Sequence, residues 1–207
     1  MVAVLLAGTP LVQAASIVVN IADQSGQPVK DAVVSLFSSV LSDAHRDDDV
    51  IIDQINKEFV PHVKPVQVGS AVSFPNKDNI RHHVYSFSPA RSFELPLYEG
   101  TPAQAEVFDK VGVVVLGCNI HDWMRAYIYV VDTPYASTTD VNGRVTLSEL
   151  PAGGYQVRVW HPRAAQEKPV IESVLLSETS NEALRFAIDL TRAIKIRRAP
   201  ASRNRGG

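Results

Sequence analysis

Cys118-Asn119-Ile120-His121-Asp122-Trp123-Met124 gathers a lone thiol, an imidazole and a thioether into one short stretch. It lies between Gly112-Val113-Val114-Val115-Leu116-Gly117 and Ala126-Tyr127-Ile128-Tyr129-Val130-Val131, both rich in β-branched and aromatic residues. Flanks of that kind read as two sheet strands joined by a compact loop. Cys118 then ends one strand, His121 sits in the loop and Met124 stands at the mouth of the next, so three donors converge at one end of a sheet. Thiolate and thioether favour Cu(I), and imidazole holds either oxidation state, which makes copper the metal that suits the set. Structural zinc fits less well, because such sites usually supply two or more cysteines and seldom use methionine. A Cys118–His121 nucleophile pair has no identifiable orienting group or oxyanion donor beside it.

The pattern Cys-x-x-His-x-x-Met between two late strands resembles the ligand loop of the cupredoxins, in the short-loop spacing of the amicyanin type. That family takes a fourth ligand, a histidine, from an upstream strand, usually within a Pro-His-Asn-Val run. The equivalent segment here is Asn76-Lys77-Asp78-Asn79-Ile80-Arg81-His82-His83-Val84-Tyr85-Ser86, after the strand-like Gly69-Ser70-Ala71-Val72-Ser73-Phe74. His82 falls on the family's ligand position, with Arg81 where proline is usual and His83 where asparagine is usual. Strand alternation lets only one of the adjacent pair face a metal. His83 is therefore either an alternative ligand or a hydrogen-bonding partner in place of the family's asparagine. The stretch is also similar to periplasmic proteins labelled methylamine-utilisation or plastocyanin-like, through His-His-Val-Tyr-Ser and Cys-Asn-Ile-His-Asp.

The resemblance implies one type-1 copper, with Cys118 as thiolate, His82 and His121 as equatorial imidazoles and Met124 as weak axial ligand. It implies a protein that passes single electrons to a redox partner protein the sequence does not identify, and that is not an enzyme. His121 would present the ring edge nearest solvent. Trp123 would either help form an apolar docking surface or shield the copper from water. Asn76 and Asp78 are candidates for tying the two ligand-bearing loops together. Two other functions compete: a copper-binding or delivery protein with the same ligands and no redox partner, and a metal-free β-sandwich binding module.

At 207 residues the chain has room for one large domain or two small ones. Hydrophobic residues at 45% and charged residues at 20% give an ordinary globular balance. A formal net charge of −2 offers no basic field for phosphates, which argues against a nucleic-acid binder. Residues 1–15 read as a signal peptide, an apolar run closing on the small-x-small pattern Val12-Gln13-Ala14. The run is too short to span a bilayer. The expectation is a periplasmic protein, exported and cleaved, with no integral membrane segment in the mature chain and a monomeric state. In an oxidising compartment a single cysteine has no internal disulfide partner, so Cys118 is either buried and inert or held by a metal.

The expected fold class is all-β: a cupredoxin-like Greek-key sandwich with a second, smaller prealbumin-like β-sandwich. Strand-like Ser16–Ala22 and 29–37, joined by an Asp/Gly/Pro turn, resemble the opening of a prealbumin-like or carboxypeptidase-regulatory-like module. Its remainder would come much later, as a hairpin over 139–147 with an Asn142-Gly143 turn, a strand over 150–159, and strands over 170–176 and 184–190. Domain insertion follows: sandwich parts at 16–42 and 132–191, with the copper domain at 43–131 between them. Asp43 to Asp49 reads as a charged linker, and 51–59, 66–69, 93–98 and 105–110 as further strands. Pro61 and Pro65 belong at an edge or in a connection. His45 and His62 read as surface residues, and Trp160 as core or rim. The basic segment 192–207 lacks the apolar content to fold alone and reads as a disordered tail.

Overall fold

The computed structural model describes residues 15–38, 49–102, 104–166 and 168–192. Residues 1–14 of the expected signal peptide, 43–48 of the expected linker with His45, and 193–207 of the expected tail lie outside the described residues, whereas Ala15, expected to end the signal peptide, is buried and opens a strand. Among the described residues the chain is all-β, and no helix is long and apolar enough to cross a membrane.

In chain order the strands are Ala15–Asp23 (β1), Val33–Phe37 (β2), Val50–Ile51 (β3), Asp53–Ile55 (β4), Glu58–Val60 (β5), Val63–Gln67 (β6), Ala71–Ser73 (β7), His82–Ser88 (β8) and Arg91–Tyr98 (β9). They continue with Glu106–Val107 (β10), Gly112–Gly117 (β11), Arg125–Val131 (β12), Ala136–Thr138 (β13), Arg144–Leu150 (β14), Gly153–Trp160 (β15), Val170–Leu176 (β16) and Asn181–Ile188 (β17).

The middle of the chain builds a five-stranded sheet in the order β6-β12-β11-β8-β9. Its central antiparallel pair is β11 with β12, in register from Gly112 opposite Val130 to Gly117 opposite Arg125. Alternation fixes the faces. Val114 and Leu116 of β11, and Ala126, Ile128 and Val130 of β12, point into one core with Phe74, Val84, Phe108, Cys118 and Met124. Pro65 lies in β6, an edge strand, and the Val60–Pro61 bond in the connection before it is cis.

A second core gathers Ile17, Val19 and Ile21 of β1 with Val34, Leu36, Val145, Leu147, Tyr155, Val157, Phe186 and Ile188. These come from two sheets, β14-β1-β17 and β13-β2-β15-β16. Each fully buried Ile, Leu or Phe in either cluster contributes roughly 1.5–3 kcal/mol over the exposed state. The second core draws on both ends of the described chain and the first on its middle. A small third cluster of Val33, Val63 and Trp160 joins them, with Val113, Tyr127 and Tyr129 packed against it.

Three expected elements differ. The Asn142-Gly143 turn does not make a hairpin ladder, since β13 pairs with β2 whereas β14 pairs with β1. The turn instead carries the chain from one sheet to the other. The stretch 51–59 is not one strand: it divides into β3, β4 and β5, with a two-residue turn at Asn56-Lys57 closing β4 onto β5. The strand expected over 105–110 shrinks to Glu106–Val107.

Candidate metal centre

Cys118 follows the last residue of β11 and the β12 ladder resumes at Arg125, so the intervening loop is pinned at both ends by the closing pair Gly117–Arg125. Inside it the Met124 amide donates to the His121 carbonyl at 2.9 Å, folding the loop into a tight turn. Met124 and Cys118 are 2% and 3% exposed and belong to the same packed core. β8 reaches the site from the other side, with Tyr85 paired to Gly117. An added Cβ at Gly117 would sit 2.7 Å from the Tyr85 ring, so only glycine lets the ring lie across the strand there.

The sheet end brings His82, Cys118 and His121 together, with ligand-capable atoms all within 4.8 Å of one another. The two imidazoles stand 5.0 Å apart by ring centroid. His82 and His83 divide by alternation as expected. His82 turns to the cluster, while His83 turns to the other face, where its Nε2 meets Glu94 at 2.8 Å and its ring lies 5.4 Å from Tyr85. A register shift between β8 and β9 falls between His82 and Val84, and Pro96, which has no N–H to give a ladder, occupies the bulged part of β9.

The nitrogens carry the chemical information. Both Nδ1 of His82 and Nδ1 of His121 are buried with no hydrogen-bond partner. A buried acceptor or donor left alone is costly, and two such atoms beside a buried thiol suit a metal ion. His82 Nε2 meets Asp78 Oδ2 at 2.8 Å. The carboxylate accepts, so Nε2 carries the proton and Nδ1 keeps its lone pair, as in carboxylate–histidine–metal arrangements. Burial works against the charged form of Asp78, but hydrogen bonds from His82 and from the Lys57 and Asn56 amides outweigh it and hold the carboxyl below its usual range. His121 is half-buried, and desolvation, reinforced by the neighbouring His82 and Lys57, holds it below the usual imidazole range. Tyr98 is pushed up to about 12, chiefly by burial, and remains a neutral donor to the Phe74 carbonyl.

The expected tie between the two ligand-bearing loops through Asn76 and Asp78 takes a different form. Asn76 donates to the carbonyls of Ile80 and Tyr98, bracing its own loop against β9. Asp78 bonds His82 and accepts the backbone amides of Asn56 and Lys57 at 2.7 and 2.8 Å. Trp123 lies 5.0 Å from the His121 ring by centroid and donates its indole N–H to the Lys57 carbonyl at 3.2 Å. The Asn56-Lys57 turn was not singled out from the sequence. The available signal was an Asn, tolerant of left-handed backbone, between two short apolar-alternating runs. His62 is exposed as expected, with Nδ1 at 3.1 Å from the Arg125 carbonyl.

No family model matches the chain, and no curated protein matches it. Among solved structures, it is similar to a purple cupredoxin from Nitrosopumilus maritimus, at 21% identity over 40% of this chain and 100% of that one, with a TM-score of 0.36. An oxidised amicyanin variant matches at 20% identity over 49% of this chain and 99% of that one, with a TM-score of 0.38. A copper-containing nitrite reductase from Thermus scotoductus SA-01 matches at 24% identity, covering 56% of this chain and 28% of that one, with a TM-score of 0.39. The solved structures that neighbour this all-β chain are thus cupredoxins.

Proposed function

We propose that the chain is a type-1 copper protein that holds one copper and transfers single electrons. His82, Cys118 and His121 would hold the ion, with Met124 as weak axial ligand. The observation that carries the reading is the convergence of His82, Cys118 and His121, with ligand-capable atoms all within 4.8 Å of one another and the Nδ1 of both imidazoles buried without a hydrogen-bond partner. A copper ion bound there would supply one-electron redox chemistry between Cu(II) and Cu(I). The protein's part is to keep the donor geometry fixed in both states. Asp78 holds the His82 tautomer, the β11–β12 closing pair holds the Cys118 loop, and the apolar core around Cys118 and Met124 excludes water. His121, half-buried at the loop, is the imidazole with access to solvent and so to a redox partner protein.

The delivery reading fits less well. Handing over a metal requires its donors to be released in turn to an acceptor, and although His121 reaches solvent, Cys118 and His82 are 3% and 0% exposed. Export to the periplasm, a monomeric state and insertion of the copper unit into a second sandwich are part of the same proposal. The insertion is supported by the nesting of one core within the chain limits of the other.

The test is a visible absorption and EPR titration of the chain with Cu(II). The expected result is an intense thiolate-to-copper charge-transfer band saturating at one equivalent and lost in Cys118→Ser. Weak, unsaturated copper uptake with no such band would overturn the proposal and favour a metal-free binding module.

A further inference from the structure

The turn between β4 and β5 contains two consecutive non-glycine residues in left-handed backbone, Asn56 at φ 55° and Lys57 at φ 60°. A two-residue hairpin turn of this hand usually places glycine second, and here it carries lysine. Both of its amides point at one carboxylate: Asn56 donates to Asp78 Oδ1 at 2.7 Å and Lys57 to Asp78 Oδ2 at 2.8 Å. The same Oδ2 accepts His82 Nε2 at 2.8 Å. The carbonyl of Lys57 then accepts the Trp123 indole N–H at 3.2 Å. Trp123 lies 5.0 Å from the His121 ring, and that ring 5.0 Å from His82.

These contacts form a closed circuit from turn to Asp78, His82, His121, Trp123 and back to the turn. We propose that the Asn56-Lys57 hairpin turn is a positioning clasp that sets both imidazoles, acting on His82 through Asp78 and on His121 through Trp123. A carboxylate alone would fix the His82 tautomer but leave the carboxylate plane free to rotate. Two backbone amides on its two oxygens remove that freedom. None of the clasp residues lies among the three clustered donors, so their effect is exerted through the imidazoles. The ligand nitrogens are therefore aimed before any metal arrives, which limits reorganisation on binding. The consequence for copper rests on the proposed function, whereas the circuit itself does not.

The experiment begins on the metal-free full chain, labelled with 15N, by ring-nitrogen NMR. His82 is expected as a single Nε2–H tautomer. Asp78→Asn should convert it to a mixture, and Asp78→Glu should restore one tautomer in part. Trp123→Phe should leave the His82 tautomer alone and shift the His121 ring resonances. Lys57→Gly keeps the amide and the carbonyl and favours the left-handed backbone, so it should keep the single Nε2–H tautomer of His82. Cu(II) competition titrations of the Asp78→Asn variant should then show affinity lowered about 10- to 100-fold. Unchanged His82 and His121 signals in both Asp78→Asn and Trp123→Phe would overturn the clasp. If Asp78→Asn fails to fold, unchanged His121 signals in Trp123→Phe, which alters a half-buried side chain, overturn it alone. Absence of a charge-transfer band in the unmodified chain would remove the copper reading and leave the NMR result standing, so the two failures are distinguishable.

Discussion

The pleat of β8 turns two adjacent imidazoles to opposite faces. His82 points to Cys118 and His121, and His83 points across the sheet to Glu94. His82→Gln should abolish the copper charge-transfer band, because its Nδ1 is lost from the cluster. His83→Gln should keep the band and cost less than about 1 kcal/mol, since its carboxylate partner is 63% exposed and the pair is solvent-screened. Loss of the band in both variants, read in the same Cu(II) titration, would reject this division. The meeting of Cys118 and His121 was legible in the sequence because both sit on one short loop between two strands. The resemblance put His82 rather than His83 on the ligand position, but the residues by themselves did not choose between them. Both are buried, at 0% and 6%, so even a correct burial forecast would not have separated them. Asp78 was visible as a candidate tie, but its true partners lie on a turn more than twenty residues away, at Asn56 and Lys57. No local pattern announces that contact.

At the scale of the element, alternation was the dependable signal. β1 reads apolar at Ala15, Ile17, Val19 and Ile21, and those residues are the buried ones. What alternation does not contain is the partner of a strand, and this is why the Asn142-Gly143 turn was misread. The turn chemistry is genuine: Asp140 Oδ1 accepts the amides of Asn142 and Arg144, and the Gly143 amide donates to the Asp140 carbonyl at 3.0 Å. Its flanks simply join different sheets. The crossing makes Gly143 more constrained than a hairpin glycine. Its φ is +69°, and an added Cβ would meet the Ile21 carbonyl oxygen and lie 2.9 Å from the Val29 nitrogen. Both obstacles are backbone, held by the Val29 amide donating to the Ile21 carbonyl and the Ile21 amide donating to the Gly143 carbonyl. Gly143→Ala should therefore destabilise the chain by about 2–4 kcal/mol, combining left-handed strain with displacement of β1. Asn142→Ala, which keeps the backbone and loses only an exposed side chain, should cost below about 1 kcal/mol. Equal midpoints for the two variants in urea unfolding would contradict the crossing as the cause.

For the whole molecule the governing feature is the seam where the two cores meet. Trp160 of β15 stacks on Tyr129 of β12 at 4.7 Å and 10°, and neighbouring Tyr127 meets it edge-on at 6.3 Å. His161 follows at once and is buried at 7% exposure, its Nδ1 accepting the Arg163 amide at 3.1 Å. Burial first, then the charge of Arg163 and to a lesser degree His62, pushes its pKa down to about 4, against weaker opposition from Lys30 backbone and Asp31. Because the folded value lies below the unfolded value near 6.5, the folded chain holds His161 neutral while the unfolded chain takes up a proton. The corresponding stability is complete above pH 6.5, declines as pH falls, and is lost by about pH 4. Residual solvent contact reduces the full conversion to about 1–2 kcal/mol. His161→Gln retains an acceptor for the Arg163 amide but cannot titrate. Its urea midpoint should therefore vary less than that of the unmodified chain between pH 6.5 and about 4. The carboxyls of Asp23 and Asp140, held below their usual range by local hydrogen bonds, contribute their own loss further down the scale and equally in both chains. Parallel pH profiles for the two proteins across that window would mean that the seam tolerates a charged His161. Burial at the junction of the two cores would then not be what ties the stability of the whole chain to pH.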